Sequence, residues 1–269
     1  MMQMDITLDG RHSVIDPDTG RVLRTHGLSD GLLDGPLEVF DPATGERTHL
    51  YTYRAGVLHG PVVTYEAGRE TSRLPFVDGV LDGEAVYSDA QGRPSMILTF
   101  RQGRKDGPCI AYVNGRPAQR MTFVADALEG EVVAVGLDGA PLASIPYAAG
   151  TPEGTALYRS PEGSPAREET FVGGVLDGEA VDYYPNGAVL ERRTSLGGLP
   201  DGPTVSYHLN GRPQDVRIYR AGTLIARAIF DDGGTCLVRQ GDTAALDTVI
   251  PDPAPPPATP SLWRRIMGG

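Results

Sequence analysis

The stretch Phe171-Val172-Gly173-Gly174-Val175-Leu176-Asp177-Gly178-Glu179-Ala180-Val181-Asp182-Tyr183-Tyr184-Pro185-Asn186-Gly187 decides the fold of this chain. Two apolar runs of five to seven residues are bounded by Gly, Pro, Asn and Asp, and neither is long enough for a helical period. The reading is a β-hairpin. Working outward, the closing glycine of that stretch recurs as Gly10, Gly35, Gly60, Gly83, Gly107, Gly130, Gly154, Gly178 and Gly202, every 23 to 25 residues. The residue before it is Asp or Glu in every copy except His59. A second glycine marks the middle of each unit, as in Asn114-Gly115, Asp138-Gly139, Asn186-Gly187 and Asn210-Gly211. Such pairs suit the positive φ angles of tight turns. A third glycine stands four residues before the closing one, and Asp126 takes its place in the fifth unit.

Each unit carries an aliphatic residue three places after the closing glycine (Val63, Val86, Ile110, Val133, Leu157, Val181, Val205). It also places an aromatic three residues before the third glycine: Tyr53, Phe76, Phe100, Phe123, Tyr147, Phe171 and Tyr219. Nine hairpins in phase predict an all-β fold: an elongated, twisted antiparallel meander of about nine tandem hairpin repeats, a solenoid-like single sheet of roughly 18 to 20 strands. One hairpin cannot bury its own apolar residues, so each leans on its neighbours. The repeated carboxylates would lie about 9.6 Å apart, two strand spacings. Their mutual repulsion in water is about 0.4 kcal/mol per pair, well below the ~1.5–3 kcal/mol gained by burying one large side chain.

The repeat array is assigned to residues 1–225. Residues 226–250 read as a capping hairpin around Asp232-Gly233-Gly234, because terminal repeats must close the stack. Residues 251–260 hold six prolines and read as a semi-rigid polyproline linker. Residues 261–269 form a short tail with the only tryptophan, Trp263, beside Leu262, Arg264, Arg265, Ile266 and Met267. Its apolar residues would share one helical face, and Trp and Arg dominate binding hot spots, so the tail is a candidate docking peptide.

The charge of −11, from 24 basic against 35 acidic residues, argues against nucleic acid or anionic lipid as the main ligand. It permits a basic protein partner. Cys109 and Cys236 form neither a CxxC pair nor a disulfide framework, which sets the expectation of a reducing cytoplasm. The start, Met1-Met2-Gln3-Met4-Asp5, lacks the basic region and apolar run of a signal peptide, and a membrane role is not expected. Histidines 12, 26, 49, 59 and 208 show no metal-ligand spacing, and no nucleophile elbow, Walker loop or dinucleotide fingerprint occurs. The expectation is a chain that is not an enzyme, with no cofactor and no metal. The candidate contacts on the sheet are the first-strand tyrosines Tyr65, Tyr87, Tyr112, Tyr158, Tyr183 and Tyr207.

The motifs Tyr183-Tyr184-Pro185-Asn186-Gly187 and Phe171-Val172-Gly173-Gly174-Val175-Leu176-Asp177-Gly178 resemble the bacterial variant of the MORN repeat, over about residues 8–225. The resemblance implies an elongated hairpin sheet. It also implies membership of a family that includes YwqK-like antitoxins, and hence an antitoxin or immunity protein that binds a protein toxin or effector. Eukaryotic relatives of the repeat are scaffolds, which leaves open an adaptor for secretion or envelope assembly that recruits its partner through the tail. The sixth unit, Ala148-Ala149-Gly150-Thr151-Pro152-Glu153-Gly154, departs from the pattern by losing its leucine.

Overall fold

The computed structural model describes residues 9–249. It is all-β but for one short helix: 24 strands, each described pairing antiparallel and between neighbours along the chain, in an open meander. Four of the strands are two-residue pieces, such as Val80–Leu81, split by a bulge from the strand that follows. Joining each piece to its successor leaves twenty, in line with the hairpin count. The described residues divide between Glu129 and Gly130 into two compact units. The first runs from strand Gly10–Ile15 to Ala127–Leu128, and the second from Gly130–Val135 to Cys236–Gly241. The second then ends in a helix, Thr243–Asp247. Among the described residues, no helix is long and apolar enough to cross a membrane.

The third-glycine position is the uniform turn. Val77 pairs with Val80 across Asp78-Gly79, whose φ angles are 49° and 83°. Two positive φ values in a two-residue loop define the turn whose twist matches a hairpin. The same geometry recurs from Asp30-Gly31 to Ala221-Gly222. The unit without the glycine keeps it as well, since Ala125 and Asp126 stand at 48° and 75°, and Asp tolerates this region better than most residues.

The mid-unit turns are mixed. Asn114-Gly115 forms a two-residue turn, with φ of 53° and 75°. At Asn186-Gly187, by contrast, Gly187 N donates to Tyr184 O and the Asn186 side chain accepts from Ala188 N (3.0 Å). The asparagine there serves as a side-chain acceptor for a longer loop, an alternative open to Asn and Asp in turns.

The closing glycine lies directly opposite the conserved-phase aromatic: Gly60 against Phe76, Gly83 against Phe100, Gly107 against Phe123, Gly154 against Phe171. It sits in a bulge. Phe100 pairs with Lys105 and Leu98 with Cys109, so extra residues around Gly107 face the single Thr99. Gly107 has φ of 122°, and a Cβ there would meet the Thr99 side chain at 3.0 Å. Both backbone and space therefore exclude a side chain.

The bulge explains the carboxylate before that glycine. Asp34 Oδ1 accepts Ala55 N (3.1 Å), Asp82 Oδ2 accepts Gln102 N (3.3 Å), Glu153 Oε2 accepts Gly173 N (2.7 Å) and Asp177 Oδ2 accepts Gly197 N (3.0 Å). Each carboxylate thus caps the third-glycine turn of the next unit. The next residue of that turn donates to a backbone carbonyl of the earlier unit, as in Gly79 N to Leu58 O (2.8 Å) and Gly198 N to Leu176 O (2.8 Å). The exception follows the same rule, because His59 Nδ1 stands 3.3 Å from Asp78 N. The row of carboxylates is a set of inter-repeat staples, each hydrogen bond worth about 0.5–1.5 kcal/mol net.

Candidate functional site

Residues two apart on a strand share a face, and register pairs extend that face across strands. In the first unit, Leu98 pairs with Ala85 on one side and with Cys109 on the other, and Cys109 pairs with Met121. Two residues along each strand, on the same face, stand Phe76, Phe100 and Phe123, with Tyr53 in the strand Arg47–Arg54. Tyr87 and Met96, themselves a register pair, continue the face on the other side. Ala85, Leu98 and Cys109 are buried at its centre, while the aromatics around them are partly exposed. The middle rows of this face, from strand Arg47–Arg54 to Arg116–Val124, carry no carboxylate. Near the turn edge, Lys105 Nζ lies over the Phe123 ring, 5.1 Å from its centre, a cation–π geometry.

The corresponding face of the second unit begins apolar, at Val132, Ala143, Ile145 and Tyr147, and turns charged from strand Pro165–Val172 onward. Arg167 and Glu169 stand four and two residues before Phe171, Glu191 and Arg193 before Ser195, and Asp215 and Arg217 before Tyr219. With Asp182 and Arg227 they form one continuous ladder. Arg167 pairs with Glu169 (3.3 Å) and Asp182 (2.5 Å), and Arg193 with Glu169 (3.4 Å), Asp182 and Glu191 (3.5 Å). Arg217 joins Glu191 (2.5 Å) to Asp215 (3.5 Å), and Arg227 closes on Asp215 (2.9 Å). Four arginines meet four carboxylates, so their charges balance, although the buried Arg217 Nε, 3.5 Å from Asp215 Oδ2, makes no hydrogen bond. The inner carboxylates are only 12–24% exposed.

The other face of the second unit holds a buried cluster of Val181, Val189, Val205, Tyr207, Val216, Ile218, Ala226 and Ala228. Leu246 of the short helix completes it at 0% exposure, with Ala245 and Val249 packed beside it.

The six tyrosines divide by parity. Tyr87 and Tyr158 lie four residues after their closing glycines, and Tyr65, Tyr112, Tyr183 and Tyr207 lie five after theirs. Tyr87 pairs with Ser72 and Met96, on the aromatic face of the first unit. Tyr158 pairs with Arg167, on the ladder face of the second. Tyr65 and Tyr112 stand on the opposite face of the first unit, where the Arg47 guanidinium lies 4.4 Å above the Tyr65 ring. Tyr207 is 4% exposed and belongs to the buried cluster, against which Tyr183 packs. The tail residues Leu262, Trp263, Arg264, Arg265, Ile266 and Met267 fall outside the described residues, as does the linker 251–260. Sequence reading did not single out the aromatic second-strand row as a contact surface, nor the ion-pair ladder.

Tyr183 donates to Glu168 Oε1 (3.1 Å). Burial, with the Glu168 charge next, pushes its phenol up to about 12 from an ordinary 10. The folded state therefore favours the neutral phenol. Its contribution is fully present below pH 10 and is lost as the pH climbs from 10 to about 12. Tyr183→Phe is expected to lose less stability than the parent over that interval, read from urea midpoints at successive pH values. Equal losses in the two proteins would refute the assignment.

No cluster of three metal-ligating side chains occurs among the described residues. A shallow recess of about 270 Å³ is lined by Leu224, Ile225, Ala226, Arg227, Gln240 and Gly241. Its one ionisable group, Arg227, is held by Asp215 at 2.9 and 3.0 Å, so the recess brings no acid–base pair together.

The chain matches no family model and no curated protein. Among solved structures it is similar to an S. aureus TarM mutant in complex with Fondaparinux, alpha-GlcNAc-glycerol and UDP, at 11% identity and a TM-score of 0.22. That match covers 44% of this chain and spans 19% of the other. A protein of unknown function from Bacteroides caccae gives 12% identity and a TM-score of 0.16, over 78% of this chain and 70% of that one. Both scores are too low to carry a functional argument.

Proposed function

We propose that this chain is a non-catalytic, cytoplasmic, protein-binding repeat protein of the MORN-like hairpin type, acting as an antitoxin or immunity protein. On this reading it neutralises a protein toxin by sitting on it. The supporting observation is the partly exposed aromatic face of the first unit, where Tyr53, Phe76, Phe100 and Phe123 stand in a row whose inner neighbours on the same face, Tyr51, Leu74, Leu98 and Met121, carry no charge. Aromatic side chains that are neither fully buried nor scattered are the usual anchors of a protein interface. The ion-pair ladder of the second unit pairs each of its charges with one of opposite sign.

The test is a pull-down from the native host with three proteins: full length, a truncation after Ile250, and Phe76→Glu/Phe100→Glu. The expected result is one toxin-like protein recovered by the first two and lost with the third, whose circular dichroism and urea midpoint show that it remains folded. Recovery only with the full-length chain would assign docking to the tail and replace the antitoxin reading with an adaptor. Recovery of the same protein by the double variant would remove the aromatic face from the function.

A further inference from the structure

We infer that the recess at the last strands of the second unit is the seat of this chain's own Trp263, which the C-terminal segment folds back to place there. The inference is independent of the partner-binding reading, since it concerns the second unit alone.

The recess lies where the repeat is shortened. In an ordinary copy Leu176 pairs with Phe171 and Ala180 with Glu169, so three residues bulge between them. In the last copy Leu224 pairs with Tyr219 and Ala226 with Ile218, which leaves Ile225 alone in the bulge. Gly241 approaches that bulge so closely that a Cβ would meet Ile225 O at 2.1 Å. The hollow of about 270 Å³ opens beside these residues.

Its walls suit one kind of side chain. Leu224 is 48% exposed, whereas its counterparts Leu33, Leu58, Leu81, Leu128 and Leu176 are all partly buried. Arg227 and Gln240 are a register pair, and Arg227 continues the face that carries Leu224 and Tyr219. Arg227 Nε and Nη2 donate to the two Asp215 oxygens (3.0 and 2.9 Å), which fixes the guanidinium plane. A guanidinium held flat is a stacking partner for an aromatic ring. The exposed Gln240 amide adds an acceptor for an indole N–H. Deeper in the ladder an indole would desolvate carboxylates that are only 12–24% exposed. At Arg227 it meets the last ion pair alone.

The occupant follows from where the chain leads. Gly241 is followed directly by the Asp242 cap and the helix Thr243–Asp247, and Val249 packs on the buried cluster. The chain therefore leaves the sheet at most roughly 20 Å from the recess. The spacer of residues 251–260 extends about 31 Å as polyproline. That length spans the path around the outermost strand, Cys236–Gly241, to the ladder face. Three residues further on stands the one tryptophan of the sequence, Trp263. Tethering of this kind holds a side chain at about millimolar effective concentration.

All indole emission of the protein comes from Trp263. In the full-length chain the expected emission is blue-shifted from that of the urea-unfolded chain, with a several-fold smaller acrylamide quenching slope. Leu224→Lys, checked for folding by circular dichroism and its urea midpoint, is expected to return both values to those of an exposed indole. Phe76→Glu/Phe100→Glu, in the first unit, should leave them unchanged. Solvent-like emission from the unaltered protein would overturn the inference. So would protection that persists in the folded Leu224→Lys protein, or that vanishes in the folded phenylalanine variant. Should Leu224→Lys fail to fold, a photoreactive benzoylphenylalanine at position 263 decides the matter. Cross-links to Leu224, Arg227 or Gln240 support the seat, and cross-links confined to other residues reject it. Neither result touches the partner-binding reading, which stands or falls by its own pull-down.

Discussion

Leu246→Ala is expected to lower the stability of the protein by about 2–5 kcal/mol, the range for truncating a buried leucine where the surroundings collapse only in part. Leu246 is 0% exposed and is the one helical residue inside the cluster of Val181, Val205, Val216 and Ala228. The helix Thr243–Asp247 has five residues, with a side-chain cap from Asp242 to Ala245 N (3.2 Å). A helix so short has no stability of its own, so its order depends on that one docked leucine. The thermal midpoint should fall on the order of 10 °C. Leu237→Ala is the matched control, since Leu237 is 63% exposed and its truncation should change stability by no more than about 0.5 kcal/mol. Similar losses from the two variants would show that the helix does not seal the cluster.

Much of the fold was legible because the repeat encodes it nine times over. The glycine spacing, the Asp/Glu before each closing glycine and the alternation of apolar residues all point to hairpins in phase, and the strands follow that plan. The role of the carboxylates was hidden. Asp34 and Asp177 look like an isolated row of charges along the sequence, and only the bulge at the following glycine turns each toward the N–H of a turn some twenty residues later. His59 carries the point furthest, since a break in the acidic pattern keeps its place by supplying a ring nitrogen as acceptor.

The candidate surface was less legible, for a reason of parity. Side chains alternate between faces with a period of two, so a shift of one residue changes the face completely. The tyrosines four and five residues after the closing glycine look alike in an alignment of units, yet Tyr87 and Tyr112 stand on opposite faces of the same unit. The signal that could have found the functional contrast lay in the second strands. The positions four and two residues before the aromatic read Ser72/Leu74, Met96/Leu98 and Gln119/Met121 in the first unit. In the second unit they read Ala143/Ile145 in its first copy and then Arg167/Glu169, Glu191/Arg193 and Asp215/Arg217. One pair of repeat positions thus makes an apolar surface in the first unit and, from strand Pro165–Val172 onward, an ion-pair ladder in the second.

Arg193 is where that ladder is most sensitive. It is 26% exposed and faces Glu169 (12%), Asp182 (14%) and Glu191 (24%), so its removal leaves three poorly hydrated carboxylates short of a cation. Arg193→Met keeps an unbranched apolar stem close to the sheet and removes the guanidinium with its charge and hydrogen bonds. The expected cost is about 1.5–3 kcal/mol, the range for hydrogen bonds to charged groups and well above the ~0.2–1 kcal/mol of an exposed pair. Asp182→Asn removes a partner that Arg193 shares with Arg167. The double variant should therefore cost less than the two singles added together, by at least about 1 kcal/mol, because the second change relieves an acid that the first left unmatched. Raising the salt concentration should reduce these losses only modestly, since the inner members are largely shielded from solvent. If the two substitutions were additive within about 0.5 kcal/mol, the ladder would be a row of independent surface pairs. A measured coupling means that the second unit uses this sheet face to hold its own strands in register.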